Sequence, residues 1–136
     1  MHSVSVAGAV IDVEGRFLAI RRADNGRWEL PGGVLEADEE IEAGVRREVH
    51  EETGIRVRVG PLTGVYKNIR RGIVALVFHC FPEGGDLSTT DEATEVAWLS
   101  EHQVHELMLE AYACRLLDAA TDGPPSIRTH DGTRLL

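Results

Sequence analysis

The sequence predicts an α+β fold in one domain that spans residues 1–136. Short apolar or alternating segments, typical of strands, stand both before and after one acidic segment with helical spacing. A second helical pattern follows near the C-terminus, so strands and helices do not alternate regularly as they do in βαβ units. A chain of 136 residues is long enough to bury a core of its own.

The strands are predicted from apolar runs that are bounded by turn residues. The third predicted strand contains Pro61, which cannot donate to a sheet and therefore indicates a break or bulge there. The fourth is apolar along nearly its whole length, which is typical of a strand covered on both faces. The four segments are 3–11, 16–22, 56–65 and 73–81.

The C-terminal third predicts a helix and a short tail. Ser100 and Gln103 have the spacing of a capping box, and the apolar periodicity behind them continues to about Ala120. The sequence leaves two alternatives open for the structure of the tail at 121–136. It forms a small hairpin around Asp131-Gly132, or it pairs with another chain, which would make the protein a homodimer.

Composition and charge exclude several classes of protein. The formal net charge of −9 argues against a nucleic acid polymer as partner, because binding to its phosphate backbone needs a basic face. The two cysteines are too few for a disulfide framework and fit a reducing cytosol, so a cytoplasmic location is expected. No apolar run reaches the roughly 20 residues that cross a bilayer, and no membrane partner is expected.

The most informative feature is a group of carboxylates at the end of the acidic helix. Glu48 and Glu52 are four residues apart and share one helical face, with Glu51 beside them. Like charges this close repel, and a hard cation such as Mg²⁺ would offset that repulsion. Taken alone, three such residues are more often a solvated face than a metal site.

An apolar stripe places these carboxylates at the edge of the core. Ile41, Val45 and Val49 recur every four residues, and on a helical wheel their stripe lies beside Glu48 and Glu52. The carboxylates are therefore expected where water is partly excluded and electrostatic interactions are stronger.

The surrounding residues resemble the signature of the Nudix hydrolases at every fixed position. The motif occupies 33–55, and Leu30-Pro31-Gly32 resembles the segment that usually precedes it. The resemblance implies an α/β/α sandwich with a mixed sheet, in which the motif forms a loop, a helix and a loop. The matching positions are Gly33, Glu39, Arg47, Glu48, Val49, Glu51, Glu52, Gly54 and Ile55.

The resemblance also implies roles for individual residues. Glu48 and Glu52 match the main ligands of Mg²⁺, with Mn²⁺ as an alternative metal. Glu51 matches a position that is a ligand or the general base in different members. The backbone carbonyl of Gly32 matches an additional ligand. Arg47 matches an arginine that pairs with the first motif glutamate, here Glu39, which requires Glu39 to lie in the loop before the helix because eight helical residues rise about 12 Å.

Three further residues are candidates outside the motif. Glu92 stands in a loop whose D/E-x-x-E-V-x-W context resembles one that reaches over the metal in family members, and a solvated loop is the alternative. Arg21 and Arg22 end the second strand; one of them is a candidate for binding substrate phosphates, and a solvated strand end is the alternative. The basic loop 67–72 is interpreted as a solvated hairpin tip, with phosphate contact as the lesser alternative.

The implied reaction is hydrolysis of a pyrophosphate bond in a nucleoside diphosphate linked to another group. The region Arg70-Arg71-Gly72 lacks the proline that marks many ADP-ribose hydrolases, and the tyrosine marker of dinucleoside polyphosphate hydrolases is also missing. These absences favour a nucleoside triphosphate, cleaved to a nucleoside monophosphate and pyrophosphate. An ADP-ribose or nucleotide-sugar pyrophosphatase is the alternative enzyme. A domain that only senses nucleotides is the alternative of another class, which the intact carboxylates disfavour.

Overall fold

The computed structural model describes all 136 residues and contains eight strands and three helices. The strands lie both before and after the first helix, as the sequence predicts. Their bounds are β1 Ser3–Val10, β2 Phe17–Arg22, β3 Trp28–Glu29, β4 Gly32–Val34, β5 Ile55–Asn68, β6 Ile73–Gly85, β7 Ala93–Leu99 and β8 Ser126–His130; the helices are α1 Ile41–Thr53, α2 Glu101–Leu107 and α3 Glu110–Ala119.

The strands form two sheets. The larger has the order β4-β1-β6-β5-β8, and the smaller has the order β3-β2-β7. In the larger sheet, β1 pairs with β6 and β5 pairs with β8 in parallel, whereas β1–β4 and β5–β6 are antiparallel. The predicted α+β class with a mixed sheet is therefore confirmed.

The side chains of β1 point alternately to the two faces of the larger sheet, and both faces are covered. Val6 belongs to the core cluster that contains Val49 of α1, and its neighbour Ala7 belongs to the cluster that contains Leu116 of α3. Successive side chains of a strand point to opposite faces. The larger sheet therefore lies between α1 on one face and α3 on the other.

The helix α1 follows its predicted apolar stripe except at its first residue. Val45 and Val49 are fully buried, but Ile41 is 43% exposed, so its predicted place in the core was wrong. Ile41 is the first residue of α1, where the chain has only just left the preceding loop. The helix ends at Gly54, whose φ of 82° is left-handed and whose N–H donates to the carbonyl of His50.

The predicted C-terminal helix is two helices, because Met108 and Leu109 have extended backbone. The capping box of Ser100 and Gln103 is present as predicted. The tail stabilises the beginning of α3. The N–H of Ala111, in the first turn of this helix, donates to the carbonyl of Thr133 at 3.1 Å. A sequence pattern in one helix could not reveal an acceptor that comes from the tail.

The tail forms the predicted hairpin and also joins the sheet. Asp131 N–H donates to the carbonyl of Arg134 at 3.1 Å, and His130 bridges to Leu135. The strand before this turn, β8, pairs with β5 of the same chain.

The strand β5 is longer than predicted. Its pairing with β6 shifts register between Val59 and Leu62, which is the bulge expected near Pro61. Lys67 and Asn68 belong to the strand, so the predicted basic loop 67–72 is shorter than expected. None of the three helices has the length and apolar character that a membrane crossing requires.

Asp118 joins α3 to the sheet. It accepts a hydrogen bond of 2.6 Å from the hydroxyl of Tyr66, which is fully buried, and two of 2.8 Å from the guanidinium of Arg128. Burial alone would raise the pKa of Asp118, but the bonds from Arg128 and Tyr66 outweigh burial and lower this pKa.

Asp118→Asn should lower the free energy of unfolding by about 2 kcal/mol at pH 7, because hydrogen bonds to a charged group are lost. A carboxyl group with a lowered pKa contributes stability above its unfolded pKa of about 3.9, and this contribution is lost as the pH falls through the folded pKa. The difference between the two proteins should therefore shrink towards pH 2. Urea unfolding at pH 7 and at pH 2 measures the free energy of unfolding of the wild-type chain and the variant, and Asp122→Asn in the exposed tail is the control. An equal difference in this free energy at the two pH values would contradict the ionic contribution of Asp118.

Candidate functional site

A cleft of about 650 Å³ opens beside the end of α1. Its walls come from four places in the chain: the end of β2, the strand β4, the last turns of α1 and the loop before β7. Five carboxylates line it together with one arginine and two glycines, and one of the five, Asp24, is paired with that arginine. The residues that matter below are Arg22, Gly32, Gly33, Glu48, Glu52, Asp91 and Glu92.

Glu48 is fixed from two sides. Its Oε1 accepts a hydrogen bond of 2.7 Å from Nη1 of Arg47, and its carboxyl group lies against the backbone of Gly33. A Cβ at position 33 would come within 2.6 Å of Oε2 of Glu48, closer than real Cβ contacts occur. Only glycine at position 33 leaves this carboxylate its place on the cleft floor.

Glu52 is held by the neighbouring glycine. The N–H of Gly32 donates to its Oε1 at 2.7 Å, which ties the end of α1 to β4. Burial raises the pKa of Glu52 to about 8; the bond from Gly32 opposes the rise, and the negative charge of Glu48 adds to it. A nearby cation would favour the ionised form and reverse this shift.

Arg47 makes the predicted pair with Glu39. Its Nε and Nη2 donate to the two oxygens of Glu39 at 2.6 and 2.8 Å, a bidentate geometry. Glu39 precedes the helix, and Arg47 reaches back towards it. The predicted loop position of Glu39 is thus confirmed.

Glu51 lies apart from the cleft. Its side chain is 60% exposed and its Oε2 accepts from Nη1 of Arg47 at 3.3 Å. The structure contains no group of three or more His, Cys, Asp or Glu side chains placed to hold a metal ion. It brings Glu48 and Glu52 to the cleft, with the backbone of Gly32, and leaves Glu51 outside it.

The two arginines at the end of β2 diverge. Arg21 donates to Oε2 of Glu95 at 2.8 Å and to the carbonyl of Gly26 at 2.9 Å, and it does not line the cleft. Arg22 lines the cleft and is paired with Asp24 at 2.7 Å. Of the two predicted phosphate-binding residues, only Arg22 is placed to meet a ligand there.

The loop before β7 forms the opposite wall. Glu92 is exposed and lines the cleft together with Asp91. The carbonyl of Glu92 accepts from the N–H of Ala23 at 2.9 Å, which anchors the loop to the end of β2. Glu92 therefore faces the same space as Glu48 and Glu52, although it stands 40 residues further along the chain than Glu52.

Glu29, in the short strand β3, was not predicted from the sequence. Its carboxyl group is 16% exposed and its pKa is raised by burial, although Arg22 at 3.8 Å opposes the rise. It lines a second cavity that adjoins the cleft, together with Arg115 and His130. A strand of two residues carries no periodic signal that could have revealed it.

The chain is similar to known proteins along most of its length. A family model for the NUDIX domain matches residues 1–118. A MutT-like protein of Streptomyces ambofaciens is 63% identical over all 136 residues, which cover 88% of that protein. An ADP-ribose pyrophosphatase of Methanocaldococcus jannaschii is 31% identical over 117 residues, 81% of this chain and 69% of that protein.

A solved structure shares the fold. The crystal structure of a MutT protein from Methanosarcina mazei Go1 superposes with a TM-score of 0.74 at 30% identity, and the match covers 88% of this chain and 93% of that one. The similarity therefore extends over both sheets and the acidic helix, and is not confined to the motif.

Gly33→Ala should leave the protein folded but displace the carboxyl group of Glu48, since the added Cβ meets the end of a flexible side chain. We expect any activity that depends on Glu48 to fall by at least about tenfold, because displacement of a reacting group by about 1 Å costs up to 100-fold. Steady-state kinetics and thermal unfolding measure the two effects. Val4→Ala, at an exposed position of the neighbouring strand β1 that does not line the cleft, is the control. Equal activity of both variants would show that the position of Glu48 is unimportant.

Proposed function

Because this chain belongs to the Nudix family and is a Nudix hydrolase, we propose that it cleaves nucleoside triphosphates to a nucleoside monophosphate and pyrophosphate with Mg²⁺ as the metal. One observation carries the proposal. Glu48 and Glu52 meet the Gly32-Gly33 backbone on the floor of a cleft that also holds Arg22.

The charge of the cleft supports a divalent cation. Glu48, Glu52, Asp91 and Glu92 line a space in which Arg22 is the only basic side chain, and Arg22 is already paired with Asp24 of the same cleft. The whole protein carries a net charge of −9. A triphosphate would be repelled from such a cleft. Nudix enzymes generally use a divalent metal, and a cation held by the carboxylates would offset this repulsion.

The residues present fit Mg²⁺. This ion is usually held by one or two carboxylates, substrate phosphates and several waters, so Glu48, Glu52 and the carbonyl of Gly32 would suffice. Burial raises the pKa of Glu52, and a bound cation would oppose this rise by favouring the ionised carboxylate. When bound, the metal neutralises phosphate oxygens and makes a coordinated water more acidic.

The remaining steps belong to side chains of the cleft. Arg22 lines the cleft, which supports a role for its guanidinium in donating to phosphate oxygens and in binding negative charge that develops on the leaving phosphate. Glu92 makes no ion pair and faces Glu48 and Glu52, so its carboxylate is free to accept a proton from the attacking water. Glu51 is bound to Arg47 outside the cleft, which supports Glu92 over Glu51 as general base.

The substrate has a second candidate. The relative from Methanocaldococcus jannaschii is named an ADP-ribose pyrophosphatase, which favours a nucleoside diphosphate linked to a sugar. The missing proline in Arg70-Arg71-Gly72 and the greater similarity to the MutT-like relative favour a nucleoside triphosphate. Both substrates present a pyrophosphate to the same carboxylates, so the difference between them lies outside the metal site.

The purified protein should release a nucleoside monophosphate from nucleoside triphosphates with Mg²⁺, and should stop when a chelator is added. A chromatographic assay with nucleoside triphosphates, ADP-ribose, nucleotide sugars and dinucleoside polyphosphates measures the rates. Glu52→Gln should reduce turnover at least about 100-fold while the fold persists. Glu106→Gln, exposed on α2, is the control. Faster hydrolysis of ADP-ribose would replace the proposed substrate, and full activity with chelator would refute the metal site.

Glu92→Gln should lower kcat by about 100-fold if Glu92 is the general base, because general-base catalysis contributes about 10²–10⁴. Glu51→Gln should change kcat by less than about threefold, since Glu51 lies outside the cleft. Single-turnover kinetics of the two variants compare the residues directly. The reverse order of effects would assign the base to Glu51.

A further inference from the structure

A second cavity of about 140 Å³ continues from the cleft and shares Arg22, Gly32 and Gly33 with it. Its far wall is formed by α3 and by the tail strand β8, which contribute Arg115 and His130. A substrate whose phosphates lie at Glu48 and Glu52 would extend its other end into this space.

Arg115 is a buried cation without a carboxylate partner. It is 7% exposed, its Nε has no hydrogen-bond partner, and it takes part in none of the ion pairs of the structure. Its guanidinium lies 5.1 Å from the ring centre of Tyr66 and 4.8 Å from that of Tyr112, which orients it without supplying an acceptor. A buried guanidinium left in this way is costly unless a ligand completes its hydrogen bonds.

His130 adds to this surplus of donors. Its Nδ1 faces the N–H of Gly132 at 2.9 Å, and its Nε2 faces Nη2 of Arg115 at 3.1 Å. A neutral imidazole has one N–H and one acceptor nitrogen, so it can accept only one of these two bonds. In either tautomer, one N–H of the cluster points at another N–H.

Asn68 completes the donor side of the cavity. It is 7% exposed, and its Oδ1 already accepts from the N–H groups of Arg70 and Arg71 at 3.1 and 3.2 Å. Its amide NH₂ therefore remains to donate into the cavity that it lines. Glu29 lines the same cavity, and its carboxylate oxygens supply hydrogen-bond acceptors.

We propose that this cavity binds the purine of the substrate and that Arg115 determines specificity for a base with an oxygen at C6. The proposal rests on the proposed function, since it assumes a nucleotide with its phosphates at Glu48 and Glu52. A 6-oxopurine presents O6 and N7 as acceptors, the pair that an arginine fork binds in two parallel bonds. Its N1–H can donate a hydrogen bond to a carboxylate oxygen of Glu29.

Adenine has the opposite pattern on the same edge. Its 6-amino group is a donor that would face the guanidinium of Arg115, and its N1 is an acceptor that would face the oxygens of Glu29. A site built to bind one set of hydrogen-bonding groups rejects an analogue that leaves its buried groups unpaired.

Binding of the monophosphates IMP and AMP, which differ only at the 6-position and its N1 proton, tests the proposal without metal or turnover. Isothermal titration calorimetry of the wild-type chain should show IMP bound at least about fivefold more tightly than AMP, the lower end of discrimination by one bidentate contact. Arg115→Met should bring the ratio close to one. The kcat/KM values for ITP and ATP with Mg²⁺ should follow the same ratios.

Arg128→Met is the matched control, because Arg128 pairs with Asp118 across the same α3–β8 interface but does not line the cavity. This variant should be less stable and yet keep the wild-type ratio. A wild-type ratio near one, an unchanged ratio in Arg115→Met, or no binding of either monophosphate would overturn the proposal. If IMP and AMP are distinguished as expected while neither triphosphate is hydrolysed, the proposed substrate class fails and the role of Arg115 stands.

Discussion

The guanidinium of Arg47 is the constraint on which the site depends. Three carboxylates of the acidic segment would repel one another, and Arg47 donates to Glu39, Glu48 and Glu51 at distances from 2.6 to 3.3 Å. These contacts close the loop before α1 onto the helix. Glu52 takes no bond from Arg47 and accepts instead from the N–H of Gly32, so its carboxyl group remains at the edge of the helix that lines the cleft.

The backbone glycines complete this arrangement. Gly32 donates its N–H to Glu52, and Gly33 provides the space that Glu48 occupies. The helix end and the strand β4 therefore define the site together, and neither could do so alone. This explains why the glycines and glutamates of the motif act as one structural unit, although Glu48 stands 15 positions after Gly33 in the chain.

The sequence predicted the parts of the site that depend on local spacing. Helical periodicity placed Glu48 and Glu52 together, and the rise of a helix required Glu39 to lie in the preceding loop. It could not place Glu29, Arg115 and His130 in one cavity, because they come from a two-residue strand, a helix and the tail, and only the tertiary fold brings them together. The division of the C-terminal helix was missed for the same reason, since the acceptor at the start of α3 is the carbonyl of Thr133.

The arrangement of strand lengths also affects how the protein meets other copies of itself. The long strands β5 and β6 are central in the larger sheet, whereas its edges are β4, with three residues, and β8, with five. The last residues fold back along β8, where the N–H of Leu136 donates to the carbonyl of Thr129 at 2.9 Å. Unpaired edges are the usual templates for aggregation. By shortening one edge and covering part of the other, this sheet leaves little free backbone for intermolecular β-pairing.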